Sequence, residues 1–464
     1  MNQVDLAFTP ALEQAQLIRR REVSPLELVQ LYLERIQQLN PRLGSYFTVM
    51  AEQAIADAKA KTEMLAGANE LPLFFGVPIS IKDLNSVAGV PCTYGNPALL
   101  NNIPNYDDGV VTRIKNAGFI LLGKTATSEL GSYPYTEPMG FPPARNPWNL
   151  EYTSGGSSGG AAASVAAGLC AIAQGSDGGG SVRGPAACCG LVGIKPSRGR
   201  VTHAPVGDRV NGIAMNGPLA RTVADAAALL DVLSGYVTGD PYWLPDPNPS
   251  FLAATGIKPG QLRIAYSTNI LPIGEADDNC KQGVLQTVEL LQQLGHAVEE
   301  KCPDFSGIVE PFQVVWQTSP ASSGLPVEIL QPLNRWLFAR SGSAGEYLKA
   351  VYQMQAVSRQ IVAFFDTVDV LVLPVYLHSP IRIGEWADLT PEETFQKIIG
   401  WIAPCPPANA TGQPAIALPV GFDSNGLPIG VQLMGRPAAE ATLISLAAQI
   451  EAAKPWIQHR PSLP

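Results

Sequence analysis

Two glycine-serine loops bracket an alanine-rich run between residues 155 and 181, and this segment restricts the fold more than any other. Gly155-Gly156-Ser157-Ser158-Gly159-Gly160 runs straight into the small residues of Ala161–Ala173. Gly175-Ser176-Asp177-Gly178-Gly179-Gly180 then runs into Ser181-Val182-Arg183. Glycine has no Cβ, so such loops let backbone amides approach a neighbour or a ligand closely. A flexible linker would not be followed at once by a helix of small residues, which implies tight packing. A phosphate-binding loop needs a Gly-Lys-Ser/Thr ending, and the first loop has no lysine. A Gly-x-Ser-x-Gly nucleophile elbow fits formally with Ser157 or with Ser158. In the second loop, three glycines ahead of Ser181 form a backbone whose N–H groups can converge on one point, as an oxyanion hole requires.

The surrounding pattern predicts an α/β protein. Leu73–Ile81 reads as a buried strand that ends at Lys82-Asp83. Lys82 is either a surface cap on that strand or, in low-polarity surroundings, a base with a lowered pKa. Ser24-Pro25 starts a helix, and 51–65 is a second amphipathic stretch. Residues 109–117 read as a helix and 119–122 as a strand. Helix and short apolar strand alternate to about Ser234, which argues for a sheet covered by helices on both faces. Gly239–Gly260 is proline-rich and is expected on the surface. Strands follow at 262–266, 368–374, 415–419 and 430–434, with a helix at 277–294 and a turn at 426–428. With 464 residues, 46% of them hydrophobic, the chain can fill a large core as one unit.

Charge and composition exclude several classes. The formal net charge is −9 with no Lys/Arg cluster, so nucleic acid and anionic membranes are not expected partners. Seven cysteines, with Cys188 and Cys189 adjacent and no Cys-x-x-Cys, read as buried thiols in a reducing cytosol. The histidines His203, His296, His378 and His459 are scattered, so no zinc site is expected. Met1–Pro10 lacks a basic start followed by an apolar run, and Ala161–Ala173 is too short to span a bilayer. A cytoplasmic location is the expectation.

Three motifs occur together and in order: Gly76-Val77-Pro78-Ile79-Ser80-Ile81-Lys82-Asp83, the Gly-Gly-Ser-Ser-Gly-Gly loop, and Gly179-Gly180-Ser181-Val182-Arg183. With Asn146-Pro147-Trp148, the segment Gly193–Arg200 and Gly217–Thr222, they resemble the amidase-signature family from about residue 10 onward. The resemblance implies a single α/β/α sandwich domain with a large mixed sheet. Its parts would be N-terminal helices (about 1–70), a signature core (about 71–235), a variable substrate-side region (about 236–365) and a return to the core (about 366–464). It implies Ser181 as nucleophile, Ser157 as bridging serine after a cis peptide bond from Gly156, and Lys82 as base. The backbone N–H groups of Gly178, Gly179, Gly180 and Ser181 would form the oxyanion hole, supported by Ser158, Asp177 and Arg183. No metal or cofactor is implied, and a homodimer is compatible with the sequence. Gly178 stands where the family often has a larger residue. The Ser-Asp-Gly-Gly-Gly-Ser form resembles a branch that includes hydrolases of 6-aminohexanoate cyclic dimer and of aliphatic or aryl amides.

The expected activity is hydrolysis of a small-molecule carboxamide through an acyl-enzyme, with a neutral aliphatic or aryl substrate. Three other readings compete. A glutaminase subunit of a tRNA-dependent amidotransferase shares the triad, but Asn211–Asn216 does not resemble its Ser-Leu-Asp-Gln-Ile segment. An α/β-hydrolase-type esterase would use Ser158 with His378 or His459. A catalytically dead binding protein would not need Lys82, Ser157 and Ser181 all intact. Substrate choice is expected from Ser132–Arg145 and Cys302–Ala344, with Tyr133, Tyr135, Phe141, Trp316 and Trp336 as candidate pocket aromatics or ordinary packing residues.

Overall fold

The computed structural model describes residues 2–463 except 66, 68 and 69. Its centre is a mixed sheet of eleven strands: β1 (Tyr46–Val49), β2 (Pro78–Lys82), β3 (Ile120–Thr125), β4 (Ile172–Asp177), β5 (Val192–Lys195), β6 (Met215–Ala220), β7 (Arg263–Tyr266), β8 (Ala297–Glu300), β9 (Val370–Pro374), β10 (Ala415–Phe422) and β11 (Pro428–Gly435). Across the sheet the order is β1-β3-β2-β4-β6-β5-β10-β11-β9-β7-β8. β2 runs parallel to both β3 and β4, and β7 runs parallel to β9 and β8. The remaining neighbours are antiparallel.

Both faces of the sheet are covered, as the alternation in sequence predicts. Side chains on a strand point to opposite faces in turn. On β11, Ile429 and Val431 face Gly283 of the helix Asp278–Gln293, whereas Gly430 lies against Ala187 of the helix Arg183–Cys189. The central strands β2, β3, β5, β6 and β9 are buried at every position, so none of them shows the in-out alternation of a half-exposed strand.

Local signals place several elements. Ser24 caps the helix Pro25–Leu43 through a reciprocal capping box with Glu27, and Gly44 ends it in the left-handed conformation. The run at 73–81 departs from expectation. Residues 73–76 turn instead of extending, with Phe75 N–H bonded to Pro72 O, and the strand starts at Pro78. Gly76 has φ +79°, and a Cβ there would lie 2.6 Å from Pro25 Cγ, so the turn docks on the start of that helix. Among the described residues no helix is long and apolar enough to cross a membrane.

Candidate active site

Parallel pairing of β2 and β4 places Ile81 opposite Gln174, so the carboxyl ends of both strands open on the same crevice. Such crevices are where open α/β sheets bind ligands. Lys82 is the last residue of β2, and it is fully buried. Its Nζ lies 2.7 Å from Ser157 Oγ, 3.0 Å from Ser176 Oγ and 3.2 Å from Ser176 O. The neighbouring Asp83 does not pair with it. Asp83 binds Lys124 at 2.6 Å and accepts from Thr93. Among the described residues no carboxylate forms an ion pair with Lys82. Burial therefore drives the Lys82 pKa well below the ordinary lysine value; the charge of Asp177 opposes the shift, and that of Arg209 adds to it.

The first glycine loop delivers Ser157 to this point. The Gly156–Ser157 peptide is cis. A Cβ on Gly156 would lie 2.5 Å from Tyr135 N, so the loop packs directly on a neighbouring backbone. Ser158 ties the two loops together. Its Oγ donates to Ser176 O and accepts from Ser176 N–H, while its own N–H donates to Ser181 O. Ser158 therefore binds backbone, and among the described residues no histidine is hydrogen-bonded to it. His378 stacks on Trp401 and His459 packs on Phe422, in clefts separate from Ser181.

Asp177 and Arg183 organise the second loop. Both are fully buried, and they pair at 2.9 Å. All five guanidinium N–H groups of Arg183 find acceptors: both Asp177 oxygens, Cys405 O, Gln432 Oε1 and Asn409 Oδ1. Burial alone would raise the Asp177 pKa. The charge and hydrogen bonds of Arg183, with Asn409, outweigh it and hold the carboxyl far below its usual range. Asp177 also accepts from the backbone N–H groups of Gly180, Val182 and Arg183. Of the four amides expected to form an oxyanion hole, that of Gly180 donates to Asp177 at 2.8 Å. Among the described residues the N–H groups of Gly178, Gly179 and Ser181 make no such bond.

Two cavities meet at Ser181. One is apolar, with about 80 Å³ of free space, and is bounded by Gly131, Tyr133, Gly156, Gly179, Phe312 and Trp316 near the serine. The other, the more polar of the two, has about 520 Å³ and a mixed lining in which Asn85, Ser157, Ser176, Arg209 and Asn216 sit beside Leu84, Leu99, Leu130 and Val210. Of the five candidate aromatics, Tyr133 and Trp316 line these cavities. Tyr135 packs edge-on against Trp386, Phe141 stacks on Phe47, and Trp336 lies between Phe395 and Arg340. Sequence reasoning missed Glu129. It is buried and accepts from Asn96, Gln331 N–H and Asn334, fastening the segment that carries Gly131 to the region around 331–334. Its only signal is a charged residue inside an otherwise uncharged stretch.

A family model described as Amidase matches residues 27–444. A Synechocystis sp. protein named only as a candidate amidase is 56% identical over 96% of this chain and 89% of its own. The 6-aminohexanoate-cyclic-dimer hydrolase of Paenarthrobacter ureafaciens is 33% identical over 100% of this chain and 98% of its own. A solved structure of 6-aminohexanoate cyclic dimer hydrolase superposes with a TM-score of 0.92 at 31% identity, covering 98% of this chain and 99% of the other.

Proposed function

The chain belongs to the amidase-signature family of amidohydrolases, and on that premise we propose that it cleaves carboxamides through a covalent intermediate on Ser181, with Ser157 as proton relay and Lys82 as base. The observation that carries this reading is the environment of Lys82. A neutral amine has two N–H groups and one lone pair. Ser176 O and Oγ accept the two N–H groups, which leaves the lone pair to accept the Ser157 hydroxyl proton at 2.7 Å. Burial without a carboxylate partner favours that neutral form.

In the first half-reaction the Ser181 proton passes to Ser157 Oγ as the Ser157 proton passes to Lys82 Nζ. Ser181 Oγ bonds to the carbonyl carbon, and the electron pair of the C=O bond moves to oxygen. The amides of Gly178, Gly179 and Ser181 stabilise that oxyanion, each such donor typically contributing about 3–4 kcal/mol. The tetrahedral carbon then expels the amine. Its nitrogen takes a proton from Ser157, which Lys82 replenishes. In the second half-reaction a water attacks the ester through the same relay, releasing the carboxylate and Ser181. The apolar cavity beside Ser181 supports an acyl part that is uncharged and aliphatic or aryl. The relatives named for 6-aminohexanoate cyclic dimer extend the plausible scissile bonds to cyclic amides. The test is active-site labelling with a small fluorophosphonate followed by peptide mapping, beside turnover of a panel of primary, aryl, linear and cyclic amides. An adduct on Ser181 is the expected result, and an adduct on Ser158 or a cysteine would overturn the assignment.

A further inference from the structure

Trp316 lines both cavities, as Gly131 and Ser181 do, and its ring faces Gly178. It sits near the end of the helix Ser306–Gln317 and stacks on Phe312, one turn earlier, at 6.0 Å and 13°. A Cβ on Gly178 would lie 3.1 Å from Trp316 Cζ3, closer than most side-chain contacts allow. The bare backbone at 178 therefore does more than expose an amide. It gives the indole a seat over the loop that leads to Ser181. There the ring separates the apolar cavity from the polar one.

The two cavities also differ in what faces the reacting carbon. Ser157 borders the polar cavity, while Gly156 and Gly179 border the apolar one. If Ser157 hands its proton to the departing nitrogen, that nitrogen must lie on the polar side. The acyl substituent is then left to the apolar side. At about 80 Å³ that space is smaller than the roughly 150 Å³ cavity known to accept benzene, so it suits an unbranched chain. The polar side, at about 520 Å³, has room for a bulky amine part.

We propose that Trp316, seated over Gly178, determines specificity: it walls off a slender apolar slot for an unbranched aliphatic acyl chain and directs a larger amine part into the wider cavity. This deepens the function proposed above and rests on Ser157 as the proton donor to the leaving amine. The acyl group narrows from aliphatic or aryl to aliphatic and slender.

The experiment uses two substrate series. In one, a fixed methylamine is joined to straight and branched acyl groups of equal carbon number. In the other, a fixed acetyl group is joined to amines of increasing bulk. The wild-type protein should prefer straight over branched acyl groups by about tenfold or more in kcat/KM, within the range that pocket shape commonly supplies. Amine bulk should change kcat/KM by less than that factor. In Trp316→Ala the branched-to-straight ratio should rise by about tenfold while the order of the amines stays as it was. Trp316→Phe should fall between the two. The proposal is overturned if Trp316→Ala leaves the acyl ratio unchanged, or shifts the amine series as strongly. It is equally overturned if the wild type rejects bulky amines but accepts branched acyl groups. Failure of the underlying mechanism would look different: no acyl adduct would form on wild-type Ser181 with any of these substrates.

Discussion

Replacing Asp177 by asparagine removes one charge and almost no volume, so its effect isolates the electrostatic part of the loop that carries Ser181. In the native protein Asp177 Oδ1 accepts from Gly180 N–H, Arg183 Nη2 and Asn409 Nδ2, and Oδ2 accepts from the N–H groups of Val182 and Arg183 and from Arg183 Nε. Whichever oxygen becomes an amide nitrogen, a donor then confronts three donors. Arg183 is left buried without its counter-charge. Breaking a buried pair on one side costs about 3–5 kcal/mol. At about 2.1 cal/mol/K per residue, 464 residues give an unfolding entropy of about 1 kcal/mol/K, so the thermal midpoint should fall by about 3–5 °C. The loss should depend on pH. Because the folded Asp177 pKa lies below the unfolded one, its stabilisation is present above about pH 4 and fades as pH falls through the folded value. Wild type and Asp177→Asn should therefore converge in acid. Activity should fall as well, well below the melting temperature. With three donors facing a donor at residue 177, the turn into Ser181 is no longer fixed, and kcat should drop by about a hundredfold or more, comparable to losing an oxyanion donor. Calorimetry across pH and steady-state kinetics at 25 °C make the two readings. A midpoint within about 1 °C of wild type at neutral pH, together with unchanged kcat, would refute this account of the loop.

Ser181→Ala should abolish fluorophosphonate labelling and reduce kcat by at least about a thousandfold while the far-ultraviolet dichroism stays native. Lys82→Ala should lose about two to four powers of ten in kcat/KM, and the wild-type pH profile should fall on the acid side as Lys82 takes up a proton. A Lys82→Ala protein that kept its rate and its acid limb would remove lysine from the mechanism. The double variant His378→Ala, His459→Ala should retain kcat/KM, since both rings lie in other clefts; loss of activity with a native fold would revive a histidine-based hydrolase.

The residues proposed for the reacting centre were legible because each is announced by an unusual neighbourhood. Lys82 ends an apolar run, and both serines sit among glycines. What could not be read was which groups would already be engaged. Nothing in Asp177-Gly178-Gly179-Gly180 tells that the third amide is taken by the aspartate three residues before it. That depends on the turn the chain makes after β4. Arg183 was recognisable as a support, but Asn409 and Gln432, which complete its hydrogen bonds, lie more than 220 residues away along the chain. Lys195 stood inside a quoted motif without a role. It proves fully buried, bonded to Pro196 O, with its pKa lowered to about 7 by burial and by the nearby Arg183. The apolar runs ending at Ile81 and at Pro374 and the run at 119–122 pointed to central strands β2, β9 and β3, whereas β5 and β6 lie inside quoted motifs whose glycine, proline and polar residues hid them. The edge strand β1 was missed, since Tyr46–Val49 is buried at one end and exposed at the other. The aromatic residues divided between cavity and packing for reasons of tertiary placement that no local pattern carries.

The order of strands has a further consequence for how such a chain comes into being on the ribosome. The hairpin β10–β11 follows every other strand in sequence, yet it lies in the middle of the sheet, between β5 and β9. Until it is synthesised, the strands that carry Lys82 and Asp177 and those of β7–β9 have no edge in common. The same late segment supplies Gln432, and the short helix Pro406–Thr411 just ahead of it supplies Asn409 and, through its N-cap residue, the Cys405 carbonyl, all acceptors for the Arg183 charge. A nascent chain therefore holds the loop of the proposed nucleophile Ser181 with an arginine that has not met its acceptors. On the proposed mechanism, hydrolytic competence is expected only with the last hairpin, and a prematurely released chain is expected to be inert instead of a poorly selective hydrolase.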